Sequence, residues 1–273
     1  MRRALTAAAL HAALALGAVL ALAPLVWMVS ASFMPAGEAT ALPPRLFPSA
    51  PTLAHYRMLF TRLDLARNLG SSVLVATVTT AIALWLDSMA GYAFAKLRFA
   101  GRDRLFRLLL AALVIPGQVA MLPLFLLCRS LGLVDTYAGV VVPGMASVFG
   151  IFLVRQYALA IPDSVLDAAR IDGAGELRIY RSLALRLCAP ILVTLAVFTF
   201  MGTWNDFMWP LVVLADADRY TLPVALANLA GEHVQDTELM MAGAVLTVLP
   251  VVAVFVFLQR YYLAGIMAGG VKE

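Results

Sequence analysis

The sequence predicts an all-α polytopic membrane protein with six transmembrane helices, and three observations predict it. Of its 273 residues, 63% are hydrophobic and 13% charged, against roughly 45–50% and about 25% in an ordinary soluble domain. The apolar residues gather in uncharged runs near the ~20 residues that a helix needs to cross a bilayer. Lysine and arginine are distributed unevenly among the connections between those runs, as they are where one set of loops faces the cytoplasm.

In order, the runs are Ala4 to Gly37, Asn68 to Leu86, Leu108 to Cys128, Thr136 to Val154, Leu187 to Asn205 and Leu239 to Gln259. Each is about long enough to span as a helix. The second and fifth are expected to continue past Asp87 and Asp206, because apolar sequence resumes after each acid. The first follows Met1-Arg2-Arg3 and outlasts the roughly 7–15-residue apolar core of a secretion signal, so it reads as a retained anchor. Six spans put both termini on one side. That side receives fourteen of the twenty lysines and arginines and the other side six, which makes both termini cytoplasmic.

The outer connections are then a proline-rich segment with Pro35, Pro43, Pro44, Pro48 and Pro51, a turn around Leu131 to Asp135, and the acidic stretch Asp216 to Glu238. Proline disfavours helix in the first of these and suits an extended surface segment. Cys128 and Cys188 fall near opposite faces of a hydrocarbon core about 30 Å thick, too far apart for a disulfide. His11, His55 and His233 have no ligand-type spacing, so neither a metal site nor a catalytic constellation is expected. An ion-coupled transporter would need intramembrane relays and repeats. Only Asp87 and Asp206 qualify, and no repeat is visible.

The connection between the fourth and fifth runs carries the most information. Pro162 with Asp163 and Ser164 is a helix-start signal in which a side-chain oxygen caps the first amides. Gly173 reads as the stop, where the chain enters a left-handed conformation. A short helix over Ser164 to Ile171 follows. Val165, Leu166, Ala169 and Ile171 make it apolar, Asp167, Arg170 and Asp172 charge it, and Ala168 and Ala169 keep it thin. On chemistry alone two readings are open: an element that docks in another protein's groove, and an amphipathic helix lying on the membrane surface.

The run Asp167-Ala-Ala, then Asp172-Gly-Ala and later Ala189-Pro190, resembles the EAA loop of binding-protein-dependent ABC importers of carbohydrates. The family pattern opens with Glu and has Leu-Pro before the later proline, where this chain has Asp167 and Arg186-Leu-Cys-Ala-Pro. The resemblance extends through Gly91-Tyr-Ala-Phe-Ala-Lys, Phe99-Ala-Gly-Arg, Ile115-Pro, Leu122-Pro, Leu131-Gly-Leu, Trp204-Asn-Asp-Phe, Tyr220-Thr-Leu-Pro and Gln259-Arg-Tyr-Tyr to Gly269-Gly-Val-Lys-Glu. It covers nearly the whole chain, in order, and is similar to the shorter permease of a maltose-type pair.

What the resemblance implies is a type I ABC importer permease fold in the bacterial inner membrane. It divides the chain into a first helix and extracytoplasmic segment (1–67), a transmembrane core (68–262) with a coupling loop at 160–190, and a cytoplasmic tail (263–273). Leu166, Asp167, Ala168, Ala169, Arg170, Ile171, Asp172, Gly173 and Ala174 would seat in a cleft of a cytosolic ATPase subunit. Two ATPases, a second and non-identical permease and an extracytoplasmic solute-binding protein are the implied partners, with membrane lipid around the spans and no nucleic acid. Nucleotide-driven closure of the ATPases would rock the spans between inward-open and outward-open states. The tail near Gly269 to Lys272 would also touch the ATPases, and the solute would be held mainly by the other permease. ATP and Mg²⁺ belong to the ATPases, since the chain has no G-x-x-x-x-G-K-[ST] loop and no cofactor of its own is expected. A carboxylate facing lipid costs about 2.5–3.5 kcal/mol, so Asp87 and Asp206 must face protein or water. With Trp204 and Asn205, they are candidates either for the translocation path or for helix contacts.

Overall fold

The computed structural model describes residues 2–43, 45–61, 64–232 and 236–270, and these residues form helices joined by turns, with no strand among them. In chain order the helices are α1 (Arg2–Ala31), α2 (Ala54–Thr61), α3 (Leu65–Lys96), α4 (Arg102–Ala111), α5 (Gly117–Ser130), α6 (Tyr137–Val141), α7 (Val148–Leu159), α8 (Asp163–Ile171), α9 (Glu176–Ile179), α10 (Leu185–Leu187), α11 (Ala189–Trp204), α12 (Met208–Val213), α13 (Leu222–Glu232) and α14 (Thr237–Gly270). Within the described residues three helical stretches, Ala9–Ala31, Leu65–Lys96 and Thr237–Phe257, are each long and apolar enough to cross a membrane. Three bent pairs bring the number to six when each pair counts as one span.

Those pairs are broken by bends that the length and hydropathy of the runs do not register. Arg102–Val114 meets Gly117–Ser130 at 104°, Tyr137–Gly144 meets Val148–Leu159 at 40°, and Glu176–Leu187 meets Ala189–Trp204 at 78°. The first break falls at Ile115-Pro116, where Ile115 is extended, as a residue before proline prefers. The third falls at Cys188, with Pro190 in the first turn of α11, a position that needs no amide donor. The fifth run also stops short of its expected continuation. The Asn205 side chain donates to the Met201 carbonyl at 2.8 Å, and this local competition with the helix ladder ends α11 at Trp204.

The chain forms two compact units. One contains residues 1–66 and 225–250. Its first helix exposes Leu14, Val19 and Leu20 along its length, a surface suited to lipid. Beyond that helix the chain becomes tightly bonded: His55 Nε2 lies 2.9 Å from the Met34 carbonyl, and Ser32 Oγ lies 2.8 Å from the Tyr56 hydroxyl. The buried Glu238 accepts the Ala39 amide at 2.7 Å. Glu38 gathers the proline-rich segment by accepting from Ser49 N at 3.0 Å and Arg45 Nη1 at 3.1 Å.

The other unit contains residues 67–224 and 251–273. Its core beneath the 159–188 connection joins Tyr92, Ala95, Ala158, Ile161, Leu166, Ile179, Tyr180, Ala184 and Cys188. A second cluster brings Val75 and Cys128 against Val140, Val141, Trp209 and Val213. Both cysteines are buried and free.

Candidate functional site

The loop helix α8 begins one residue earlier than its sequence suggests and without the expected side-chain cap: Pro162 holds the capping position and no side chain bonds there. Asp163 is engaged elsewhere. Its Oδ1 accepts from Lys96 Nζ at 2.7 Å, and Lys96 donates as well to the Ile161 carbonyl at 2.6 Å. The Lys96 side chain is only 6% exposed, so its stem lies against protein and its charge meets both partners. The Lys96 ammonium holds the Asp163 carboxyl below the usual carboxylate range. This single lysine fastens the start of α8 to the end of α3.

The far end of α8 closes as its sequence predicts. Gly173 has φ +81°, its amide donates to the Arg170 carbonyl at 3.0 Å, and the Ala174 amide donates to the Ala169 carbonyl at 3.0 Å. This is the paired bonding of a Schellman motif. Arg170 then crosses the turn. Its Nη1 donates to Asp167 Oδ1 at 2.6 Å and its Nε to Glu176 Oε1 at 2.7 Å. Tyr92 on α3 donates its hydroxyl to the other Glu176 oxygen at 3.2 Å. The loop is therefore tied to α3 at both ends.

These ties decide which face of α8 is free. Leu166 is 1% exposed and packs in the core beneath the loop, with Ala169 and Ala174 against its margin. Asp167, Ala168, Ile171, Asp172 and Gly173 are exposed, and Ile171 is 86% exposed. A thin outward surface with one large apolar side chain at its tip results. Sequence reasoning took Asp163 for a helix-start residue and did not single out Lys96, Tyr92 or Glu176 as the loop's ties to α3. Their partners lie 65 to 84 residues away across α3, a distance at which no helical spacing signals a pair. Lys96 ends the Gly91-Tyr-Ala-Phe-Ala-Lys motif, and that was the available signal.

The carboxylates in the spans have different surroundings. Asp87 is fully buried and accepts from Ser147 N at 2.9 Å and Ser147 Oγ at 3.2 Å. Ser147 Oγ in turn accepts the Gly150 amide at 2.8 Å. A side chain at Gly150 would run into Asp87 Oδ2, so the glycine is what lets α7 approach the acid. Asp206 is partly exposed and faces the start of α12, where it accepts the Trp209 amide at 3.4 Å and meets the Met208 amide. Among the described residues no cation pairs with it. Trp204 is buried and stacks on Phe200 at 5.9 Å, while Asn205 is exposed. Asp206 lines a pocket of about 410 Å³ with Thr79, Gln118, Thr203, Met208 and Trp209. The sequence did not mark Thr79, Gln118 or Thr203, although Pro116, which ends the helix before Gln118, was visible in it.

Comparison with known proteins gives these features a setting. Residues 87–267 match the family described as "Binding-protein-dependent transport system inner membrane component". The chain is 40% identical to the arabinooligosaccharides transport system permease protein AraQ of Halalkalibacterium halodurans, over 93% of this chain and 92% of that one. It is 32% identical to the lactose transport system permease protein LacG of Rhizobium radiobacter, over 100% and 98% of the two chains. Its fold superposes with a TM-score of 0.84 on a chain of a bacterial ABC transporter involved in the import of the acidic polysaccharide alginate, at 24% identity over 94% and 96% of the chains. Six helical segments, a fastened loop with a free face and these relationships lead to one conclusion: this chain belongs to the binding-protein-dependent transport system inner membrane components, the permease subunits of ABC importers.

Proposed function

We propose that this chain imports a sugar, oligosaccharide or related polyol, and that α8 is the element through which ATPase subunits drive it. The relatives named for arabinooligosaccharides and lactose support the solute class. In this reading both termini and the 159–188 loop face the cytoplasm, consistent with the fourteen basic residues on that side. The core is 68–262, the loop 160–190 couples, and the tail 263–273 reaches the ATPases. The end of that tail, 271–273, lies outside the described residues. The partners are a second permease, two cytosolic ATPases that hold ATP and Mg²⁺, and an extracytoplasmic binding protein.

The observation that carries this reading is the division of α8 into a fastened face and a free one. Ala168 and Gly173 keep the free face low, and Ile171 stands out from it. A surface-lying helix would need no such anchoring, whereas a lever does: force applied at Ile171 passes through Asp163 and Lys96, and through Arg170, Glu176 and Tyr92, into α3. Closure of the ATPases would thereby move the span as a rigid body.

The test is Gly173→Trp in vesicles reconstituted with all subunits. Strain at a left-handed residue is about 1–2 kcal/mol, so the protein should still insert, while the bulk obstructs docking. Membrane abundance should stay near normal, uptake should fall severely, and ATP hydrolysis should no longer respond to the loaded binding protein. Ala168→Trp should behave alike. Full coupled uptake by Gly173→Trp at normal abundance would return α8 to the role of a surface helix.

A further inference from the structure

Three helix breaks converge on one pocket. Gly117 and Gln118 follow the break at Pro116, Pro143 and Gly144 precede the break at Ser147, and Thr203 and Asp206 flank the end of α11; all six line the same space of about 410 Å³. Interrupted backbone within a membrane-spanning segment is tolerated where it is buried in protein or lines a water-filled cavity. Two further observations point to a ligand. Thr79 is 2% exposed, lines the pocket, and its hydroxyl has no hydrogen-bond partner. Asp206 carries a carboxylate with no cation to pair it among the described residues and faces this pocket, and intramembrane acids that face a cavity mark substrate or ion pathways.

We propose that this pocket is a solute subsite in this chain, with Asp206 accepting hydrogen bonds from the hydroxyl groups of a neutral sugar and Gln118, Thr203 and Thr79 supplying further polar contacts. The proposal rests on the sugar-import reading above and goes beyond it, because it gives this permease its own hold on the solute. Met121, Met208 and Trp209 give the pocket an apolar wall suited to the C–H face of a sugar ring. Pockets of this size with a few converging polar groups are typical of small-molecule sites. The charge also sets selectivity. Among the described residues no lysine or arginine lines the pocket, so a uronate-bearing sugar would meet Asp206 as a like charge and be disfavoured.

The test uses the complete reconstituted transporter and a panel of arabinotriose, lactose, trehalose and digalacturonate. Asp206→Asn should lower uptake of the best neutral sugar about tenfold, as loss of a hydrogen bond to a charged group does. Stimulation of ATP hydrolysis by the loaded binding protein should stay within about twofold, since coupling lies in α8. A second measurement does not depend on Asp206: maleimide labelling of Gln118→Cys should slow several-fold when transporter loaded with that sugar is held by ATP and vanadate. Labelling of Leu108→Cys, which lies off the pocket, should not change. If Asp206→Asn loses uptake and ATPase response together, protection of Gln118→Cys still supports the subsite and its absence overturns it. Wild-type uptake retained by Asp206→Asn with no protection at Gln118→Cys sinks the subsite alone, whereas a wild-type complex that imports none of the panel sinks the sugar reading itself.

Discussion

Asp87 and Asp206 are the same residue type, each set in an apolar run, and the chain treats them in opposite ways. Asp87 sits inside an unbroken α3 and is sealed by the amide and hydroxyl of Ser147. Asp206 sits at a break and stays partly exposed to a pocket. The donors that seal Asp87 exist because α7 begins at Val148, leaving Ser147 in extended conformation with its amide outside the helix ladder. A helix break thus supplies the polar groups a buried acid needs. At Asp206 the neighbouring amide of Trp209 lies at a longer 3.4 Å, and the carboxylate stays partly exposed to the pocket. The difference teaches that the bends in this permease carry its polar groups, one closed by its donors and one open to a pocket.

The largest effect should come from unsealing Asp87. Asp87→Leu strands both half-buried Ser147 donors, at up to about 1–3 kcal/mol for each unsatisfied group. The thermal midpoint of the purified protein in detergent should fall by several degrees, and membrane abundance with it. Asp206→Leu should leave the midpoint nearly unchanged. Equal losses in the two variants would erase the distinction between them.

A smaller and more specific effect is expected at Gly150. Its α-hydrogen faces Asp87 Oδ2 and Ser147 Oγ, and an added methyl would overlap both. Overpacking of this kind costs about 1–3 kcal/mol. Because the overlap is with the acid itself, Gly150→Ala should cost markedly less in an Asp87→Ala background. Thermal unfolding of the two single variants and the double variant measures that coupling. Strict additivity would show that Gly150 answers to something other than Asp87.

Sequence reasoning reached the parts of this molecule that are locally encoded. Six apolar runs follow from composition, and the stop of α8 follows from Gly173 because a left-handed residue is a local demand. The start of α8 was misread for a related reason: Asp163 has the chemistry of a cap, but Lys96, far away in sequence, takes its carboxylate. The end of α11 was missed because apolar residues resume at Phe207, and hydropathy does not register that the Asn205 side chain competes with the backbone. Likewise, no periodicity relates Asp87 to Ser147, sixty residues on. Nor does any local pattern reveal how α8 is held, because its ties to Lys96 and Tyr92 reach across to α3.

The smallest effect concerns a third carboxylate, Asp135, which sharpens the comparison because it is sealed by donors yet lies in the turn between α5 and α6, outside the spans. It accepts the Ala215 and Asp216 amides at 3.0 Å each, and Arg219 Nη1 at 2.5 Å. The Asp216 and Ala215 amides, with the guanidinium of Arg219, hold its carboxyl below the ordinary 3.8. A depressed carboxylate contributes stability that is complete above the unfolded value and disappears as pH falls through the lower folded one. Asp135→Asn retains a residue type that tolerates the φ of +58° found here but removes the charge. The wild-type thermal midpoint should therefore exceed that of the variant by on the order of 1–2 °C at neutral pH, and the gap should close as the pH is lowered below about 3.8. Asp163 is also depressed and titrates in both proteins, so its contribution cancels in the difference. Midpoints measured from pH 7 to pH 3 decide the matter: a gap that persists or widens in acid would mean that Asp135 holds this turn by shape and hydrogen bonding alone, with no contribution from its charge.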